Sequence, residues 1–468
     1  YGAGFYYIPG TDTCIKLGGY LRVETWLGTN SVVAGTLNGV GGAHNRLGNN
    51  YTWRSRQDLN IDTRTATEYG VLRTFFDGNF TWTSGGLAGS GATPGSTTYT
   101  GDNIAGGSLG VYYAFIQFAG FTMGKAVSIF DAPWTGYPGG NHFELFGEAN
   151  SVTGVNQFTY TTEFGSGISA AISAQDPTRY YQSNIFNVSG ATAAGIVTGA
   201  YGVNNFGGTR SPDILGQFRV DQAWGLFQLS AAAHDNHVAY YGATETSGHP
   251  DDKWGWAVQA ALSIKNIPTG PGDVINVQAV YTDGASRYNF QNLLPTTFAM
   301  YGGTGLPGAY QSLGFAGVAD AVYGGTTAAT GTQLNAVKTW GFNGAYTHNW
   351  NPHWNTAIYG SYARANYGGE GKALICSSPA LVGAAPIGVA LTGACNPDFS
   401  IGMVGLITRW TPVKNLTFSA DVNWTRLDQN YSGTVTAPTL GAVAKPAAVY
   451  ELKNQNSVAA VIRAQRVF

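Results

Sequence analysis

An all-β fold is predicted, a sixteen-stranded antiparallel transmembrane β-barrel with short periplasmic turns and long extracellular loops. Three observations predict it: sparse charge, apolar and polar residues alternating at period two, and connections that alternate short and long. Of 468 residues 50 are charged, 24 Lys or Arg and 26 Asp or Glu, where soluble domains carry about 25%. Mean hydropathy is only −0.07, so the chain is no bundle of membrane helices. Its polarity comes from Asn, Gln, Thr, Ser and Gly, which hydrogen-bond without ionising. The net charge of −2 excludes a generally basic nucleic-acid binder, and no nucleic-acid partner is expected.

Length would suggest about three domains, but a large barrel is one closed sheet and no charge run or Pro-rich tether divides the chain. Residues 1–468 therefore read as one barrel. The opening YGAGFYYIPGTDTC lacks a basic and an apolar signal region, so any signal peptide is expected to have been removed. The stretch SSPALVGAAPIGVALTGAC (Ser377–Cys395) is broken by Pro379 and Pro386 and reads as a loop, since a spanning helix needs about 20 mainly apolar residues.

The first strand, CIKLGGYLRVETW, sets Lys16, Tyr20, Arg22 and Glu24 against Ile15, Leu17, Leu21 and Val23. Next, WRSRQDLNIDTRTA puts Arg54, Arg56, Asp58, Asn60, Asp62 and Arg64 on one face. The third, YGVLRTFFDGNFTW, opposes Arg73, Asp77 and Asn79 to Leu72, Phe76, Phe80 and Trp82. Strand centres follow at Phe115, Val127, Tyr160, Ala171, Gln217, Ser230, Gln259, Gln278, Asn343, Tyr359, Val404, Asp421 and Ile462, after the first three at Tyr20, Asn60 and Phe75. Each candidate is about 9–14 residues, enough to cross a bilayer at a tilt. The strands near Phe115, Val127 and Val404 alternate poorly and their inward faces stay open.

Seven short connections, such as QAWG and TPVKN, carry turn-forming Gly, Pro and Asn. Long ones centre near Asn38, Gly95, Gly140, Ala194, Gly242, Leu306, Pro386 and Leu440. A repeatedly crossed membrane produces such asymmetry, whereas a soluble sandwich has no cause to. In hydrocarbon every backbone polar group must be paired, so a spanning sheet has to close. Trp26, Trp53, Trp82, Trp254, Trp340, Trp350, Trp354, Trp410 and Trp424 fall near strand ends, where interfacial girdles take aromatics.

The segments YGAGFYYIPGTDTCIKLGGYLR, LNIDTRTATEYGVLRTFF and AFIQFAGFTMGKAVSIFD resemble the porin family of alphaproteobacterial outer membranes. The resemblance implies a homotrimer in the outer membrane with both termini periplasmic, passing small hydrophilic solutes by passive diffusion. Outer-membrane lipids and lipopolysaccharide would surround it. Terminal Phe468 is similar to the C-terminal aromatic through which such barrels engage their assembly machinery.

Chemistry-bearing patterns are weak. GTGLPG (Gly303–Gly308) matches a dinucleotide pattern but opens no helical segment, and the two His of HDNH (His234–His237) would point to opposite strand faces. Neither a cofactor nor a metal is expected, and no enzyme activity. Cys376 and Cys395 share one long loop and are expected to form a disulfide, which the oxidising periplasmic route permits. Cys14 is left as a free thiol or, by the family resemblance, a partner of an upstream Cys.

Lys16, Arg22, Arg54, Arg56, Arg64 and Arg73 lie on the polar faces of three neighbouring strands, with Glu24, Asp58, Asp62 and Asp77 interleaved. The third long loop, 131–150, carries Asp131, Glu144 and Glu148 and no Lys or Arg. By resemblance to general porins it enters the barrel as the pore constriction, and its acids are expected to face the Arg wall across water. Three functions compete: a general diffusion porin, a substrate-selective channel, and a plugged adhesin or structural barrel.

Overall fold

The computed structural model describes residues 2–28, 42–46, 50–83, 107–136, 138–142, 144–291 and 294–468. The loop centres expected at Asn38 and Gly95 lie outside them. Sixteen wall strands form one closed antiparallel sheet. They are β1 (Thr13–Gly28), β2 (Tyr51–Thr67), β3 (Gly70–Thr83), β4 (Ser108–Phe118), β5 (Phe121–Ala126), β6 (Val155–Gly165), β7 (Ile168–Gln175) and β8 (Asp213–Gln222). There follow β9 (Gly225–Asn236), β10 (Lys253–Lys265), β11 (Val274–Asp283), β12 (Lys338–Asn351), β13 (Trp354–Asn366), β14 (Phe399–Val413), β15 (Leu416–Gln429) and β16 (Gln455–Val467). Each pairs with the next, and β16 closes on β1 from Tyr20↔Val467 to Gly28↔Ala459. The N–H of Phe468 donates to Gly19 O at 3.1 Å, extending that seam by one bond.

Fifteen of the expected centres fall within these strands; Val127 lies one residue beyond β5, which ends early at Ala126. The poor alternation near Phe115 has a local cause. The β3–β4 ladder passes from Asp77↔Tyr113 to Gly78↔Val111, so Tyr112 is an extra, bulged residue. Near Val404 the cause is burial, because the inward residues Phe399, Ile401 and Met403 of β14 are apolar and covered.

Outward faces are mainly apolar, with polar rows on β1–β3, and are edged by aromatics. On β12, Trp340 and Trp350 stand ten residues apart on the same face, about 25 Å of height at ordinary rise and tilt. Trp26 departs from the girdle expectation. It points inward, is fully buried, and meets the His142 ring edge-on at 5.2 Å.

The long connections fold among themselves, which alternation along the wall strands does not foretell. Asn184–Asn187, Val203–Asn204, Ala319–Tyr323 and Asn335–Ala336 make one four-stranded sheet; Thr297–Gly302, Gln311–Gly317, Thr434–Ala437 and Ala448–Leu452 make another. GTGLPG follows the strand Thr297–Gly302 directly and forms the turn of a hairpin rather than the start of a helix. Helix Gly368–Cys376 and the short helix Pro379–Val382 complete this cap, and Cys376 is bonded to Cys395. Its core, with Ile196, Met300, Phe315 and Val322, reaches down to Leu145 and Phe146 and to the inward residues of β14.

His234 joins cap to wall. Its Nδ1 lies 2.8 Å from Asp213 Oδ1 on β8, and its Nε2 lies 3.6 Å from Asp320 Oδ2 in the cap. Tyr288 donates to the same Asp213 at 2.6 Å, and the Ser286 and Ser183 amides donate to Asp320. All three ionic side chains are buried. Cys14 is buried and has no disulfide partner among the described residues.

The disulfide closes a 19-residue separation, for which chain entropy gives about 3 kcal/mol. Replacing both Cys376 and Cys395 with Ser should speed limited proteolysis between 367 and 398 at least several-fold. The β-barrel circular-dichroism signal should not change, because the wall ladders do not involve this loop.

Candidate functional site

The early end of β5 releases the chain into the barrel. Residues 127–154 run from β5 to β6, and their polar groups bond side chains that point inward from the wall. At the base, Ser128 donates to Gln175 Oε1 on β7 at 2.7 Å, and Gln228 of β9 and Gln259 of β10 donate to the carbonyls of Asp131 and Phe130 at 3.0 and 2.7 Å. Midway, Glu148 accepts from Gln278 of β11 at 3.0 Å, from Asn343 of β12 at 2.7 Å and from the Gly136 amide at 3.1 Å. A Cβ on Gly147 would come within 2.4 Å of the Phe342 backbone, so the loop touches β12 where it has no side chain.

The tip is fixed most firmly. Asn141 donates from its amide to Asp421 on β15 at 2.6 Å and from its side chain to Ser419 at 2.7 Å, while Arg463 of β16 donates to Asn141 Oδ1 at 2.9 Å. Tyr359 of β13 donates to Asp421 at 2.7 Å, and Arg409 of β14 donates to the Gly139 carbonyl. His142 then meets Trp26 on β1. The loop thus follows the inner wall from β7 round to β16; at its far end Tyr113 of β4 donates to the Val152 carbonyl, and none of these contacts reaches β2 or β3.

That remaining wall, with β1, carries the sequence-predicted basic residues. Arg54 and Arg463 both pair with Glu24, the latter at 2.6 Å, and this triad is buried. Arg64 and Arg73 share Asp62 at 3.0 Å each. Arg22 donates to Gln465 at 2.8 Å and Arg56 to Thr81 at 3.0 Å. Between them Asn79 donates to Asp58 and Asp77 at 2.9 and 3.1 Å, and Asn60 bonds the same two carboxylates. The acids Glu24, Asp58, Asp62 and Asp77 are buried, whereas Lys16 is exposed and Arg56, Arg64 and Arg73 are half-buried. Aromatic rings support the guanidiniums: Arg22 lies 4.5 Å from the Tyr20 ring centre, Arg73 4.9 Å from Phe75, and Arg56 5.5 Å from Tyr112.

The loop acids are not arranged as the sequence led one to expect. Asp131, Glu144 and Glu148 are buried at 5%, 5% and 0% exposure, and Asp131 accepts from the Ser151 amide and hydroxyl at 2.8 and 2.7 Å rather than facing the Arg wall. Burial pushes the Asp131 carboxyl up to about 7 and the Glu148 carboxyl up to about 8. The His142 imidazole is held down at about 3 by burial and then by the Arg463 charge. Burying a charge is costly unless it is paired, so burial favours the neutral forms of Asp131, Glu148 and His142. The sequence reading missed Asn141, Arg409 and Asp421 as anchors. Alternation marks Asp421 as inward but not which segment it holds, while Asn141 lies in the loop and Arg409 on the strand whose inward face stayed open.

A closed sixteen-stranded sheet with an apolar exterior, a polar interior and a loop along half of its inner wall defines an outer-membrane channel for passive diffusion. A profile of the porin subfamily matches residues 1–461, and the chain belongs to that family. Among relatives, Porin Omp2b of Brucella suis biovar 1 (strain 1330) is 25% identical over 310 residues, 60% of this chain and 74% of that one. Porin Omp2b of Brucella neotomae is 27% identical over 246 residues, 52% of this chain and 57% of its own. The outer membrane channel DcaP of Acinetobacter baumannii has a similar fold, with a TM-score of 0.57, 13% identity and 99% of both chains covered. Family and fold point to a channel rather than an enzyme.

Glu148 makes the seating of the loop pH-dependent. Between the ordinary carboxyl value of 4.5 and about 8 the folded chain holds a proton that the unfolded chain releases. Stability therefore falls as pH rises through that window, by about 1.4 kcal/mol per pH unit for each such group. Asp131 adds to the slope up to about 7. Urea unfolding midpoints in lipid vesicles should decline from pH 5 to pH 8, and Glu148→Gln should flatten that decline; equal slopes would show that Glu148 is ionised in the native loop.

Proposed function

We propose that ions and small hydrophilic solutes cross between loop 131–150, acting as the constriction, and the basic wall of β1–β4, and that anions are favoured. The supporting observation is the asymmetry of exposure: the wall's carboxylates are buried beneath cations that reach water. Lys16, Arg56, Arg64 and Arg73 set the local potential, with buried Arg22 and Arg54 behind them, while Asp131, Glu144 and Glu148 hold the loop in place. Cations lining a narrow aqueous path concentrate anions and slow cations.

The proposed assembly is a homotrimer joined through the outward faces of β1–β3. Thr13, Ser55, Gln57, Thr63, Thr65 and Thr74 lie on those faces, and polar side chains facing hydrocarbon are unfavourable unless another subunit covers them. Both termini then lie on the periplasmic side, Phe468 serves the assembly machinery, and lipid and lipopolysaccharide meet the other strands. A substrate-selective reading is supported by the aromatic rings of Tyr20, Phe75 and Phe115 beside the guanidiniums; solute competition against ion current tests it.

Neutralising Arg56 and Arg73 together with Gln should move the reversal potential in a tenfold salt gradient towards cations by about 10 mV or more. The shift should shrink near 1 M salt, where the Debye length is about 3 Å. An unchanged reversal potential at low salt would remove these residues from the ion path. Absence of any conductance would favour a plugged barrel.

A further inference from the structure

The outer wall carries a depression on the side away from β1–β3. Ala260 on β10, Ala279 on β11, Gly344 on β12 and Gly360 on β13 form the floor of an apolar cavity of about 670 Å³, walled by Phe342 and Tyr362. These residues are register neighbours: Ala260 pairs with Ala279, Ala279 with Phe342, Phe342 with Tyr362, and Gly344 with Gly360. The floor is small where the rest of this face is large. A Cβ on Gly344 would approach Asn276 O to 2.7 Å, so that position cannot be filled without moving the ladder.

Two residues beyond Tyr362 towards the long loops, about 7 Å along the strand, stands Arg364. It faces outward, is exposed, and makes no hydrogen bond or ion pair among the described residues. Its Cα partners are Trp340 and Ser400, which puts the guanidinium at the level of the outer aromatic girdle. By contrast the neighbouring outward cations are matched, Arg426 by Asp428 at 2.7 Å and Lys338 by Asp283 at 3.8 Å. An exposed, unmatched cation at interfacial depth above an acyl-wide groove suits a molecule with an anion at the same height and a chain below it.

We infer that this face binds a phosphorylated lipid of the outer leaflet, its phosphate on Arg364 and one acyl chain over Ala260, Ala279, Gly344 and Gly360. The inference uses only the outward face meeting lipid, so it stands or falls separately from the ion path inside. Charge complementarity decides for a lipid over a second copy of this chain, because the carboxylate on the outward rows of the four floor strands, Asp283, is already matched by Lys338, whereas Arg364 is left for an anion from outside.

Native mass spectrometry of the detergent-solubilised protein, titrated with bisphosphorylated lipid A and with phosphatidylcholine, tests it. The expected result is tighter binding of lipid A, weakened about tenfold by Arg364→Gln, the scale of a lost charge-assisted bond, and also weakened by Ala260→Leu with Ala279→Leu. Single-channel conductance should be unchanged in both variants, which also shows that they fold. Equal binding of the two lipids, or lipid A binding unaffected by Arg364→Gln, would overturn the inference. So would a groove variant that altered oligomeric state instead of lipid binding, since the occupant would then be a second copy.

Discussion

Backbone hydrogen bonds that cannot be lent to water decide this structure. In hydrocarbon an unpaired N–H or C=O costs several kcal/mol, so the first wall strand must find the last. The β1–β16 ladder, extended by the Phe468 amide on Gly19, meets that requirement. Closure then fixes everything else about the wall: side chains at one parity meet lipid, those at the other meet the interior, and long connections collect at one end.

The interior poses the opposite problem, because a segment that leaves the wall inside the barrel must replace water for its own backbone. Loop 127–154 does so with wall amides, hydroxyls and ions: Gln228, Gln259, Gln278 and Asn343 along its length, and Asp421, Arg409 and Arg463 at its tip. Burial raises the carboxyls of Asp131 and Glu148, which makes the loop sensitive to pH. A buried triad in the wall, Glu24 with Arg54 and Arg463, joins both ends of the closed sheet to the loop tip through Asn141. Removing Glu24 would leave two buried cations facing each other, which is far less favourable than the satisfied triad.

The wall was legible in the sequence because period-two alternation is imposed residue by residue by the membrane. Fifteen strand centres, the long connections among the described residues and the Cys376–Cys395 bond all followed from local patterns. What escaped depends on contacts distant in sequence. The cap sheets pair 184–187 with 319–323 and 311–313 with 450–452 in parallel, and no local period encodes such partners. Trp26 illustrates the limit. Its parity with Arg22 and Glu24 placed it inward, but its position near a strand end suggested the girdle, and its burial comes from His142 at the loop tip together with Ala459 and Val461 of β16. The loop acids were misjudged for the same reason, since a carboxylate in a sequence carries no sign of the amides that will surround it.

The most direct test of the account is whether the loop stays on the β15 wall while the channel conducts. Asn141 and Ser419 meet at 2.7 Å, so Asn141→Cys with Ser419→Cys should cross-link in high yield under mild oxidant in the intact outer membrane. The cross-linked channel should keep its single-channel conductance to within about a fifth, because a loop already seated there leaves the ion path beside the basic wall as it was. Failure to cross-link, or a cross-link that abolishes conductance, would contradict it.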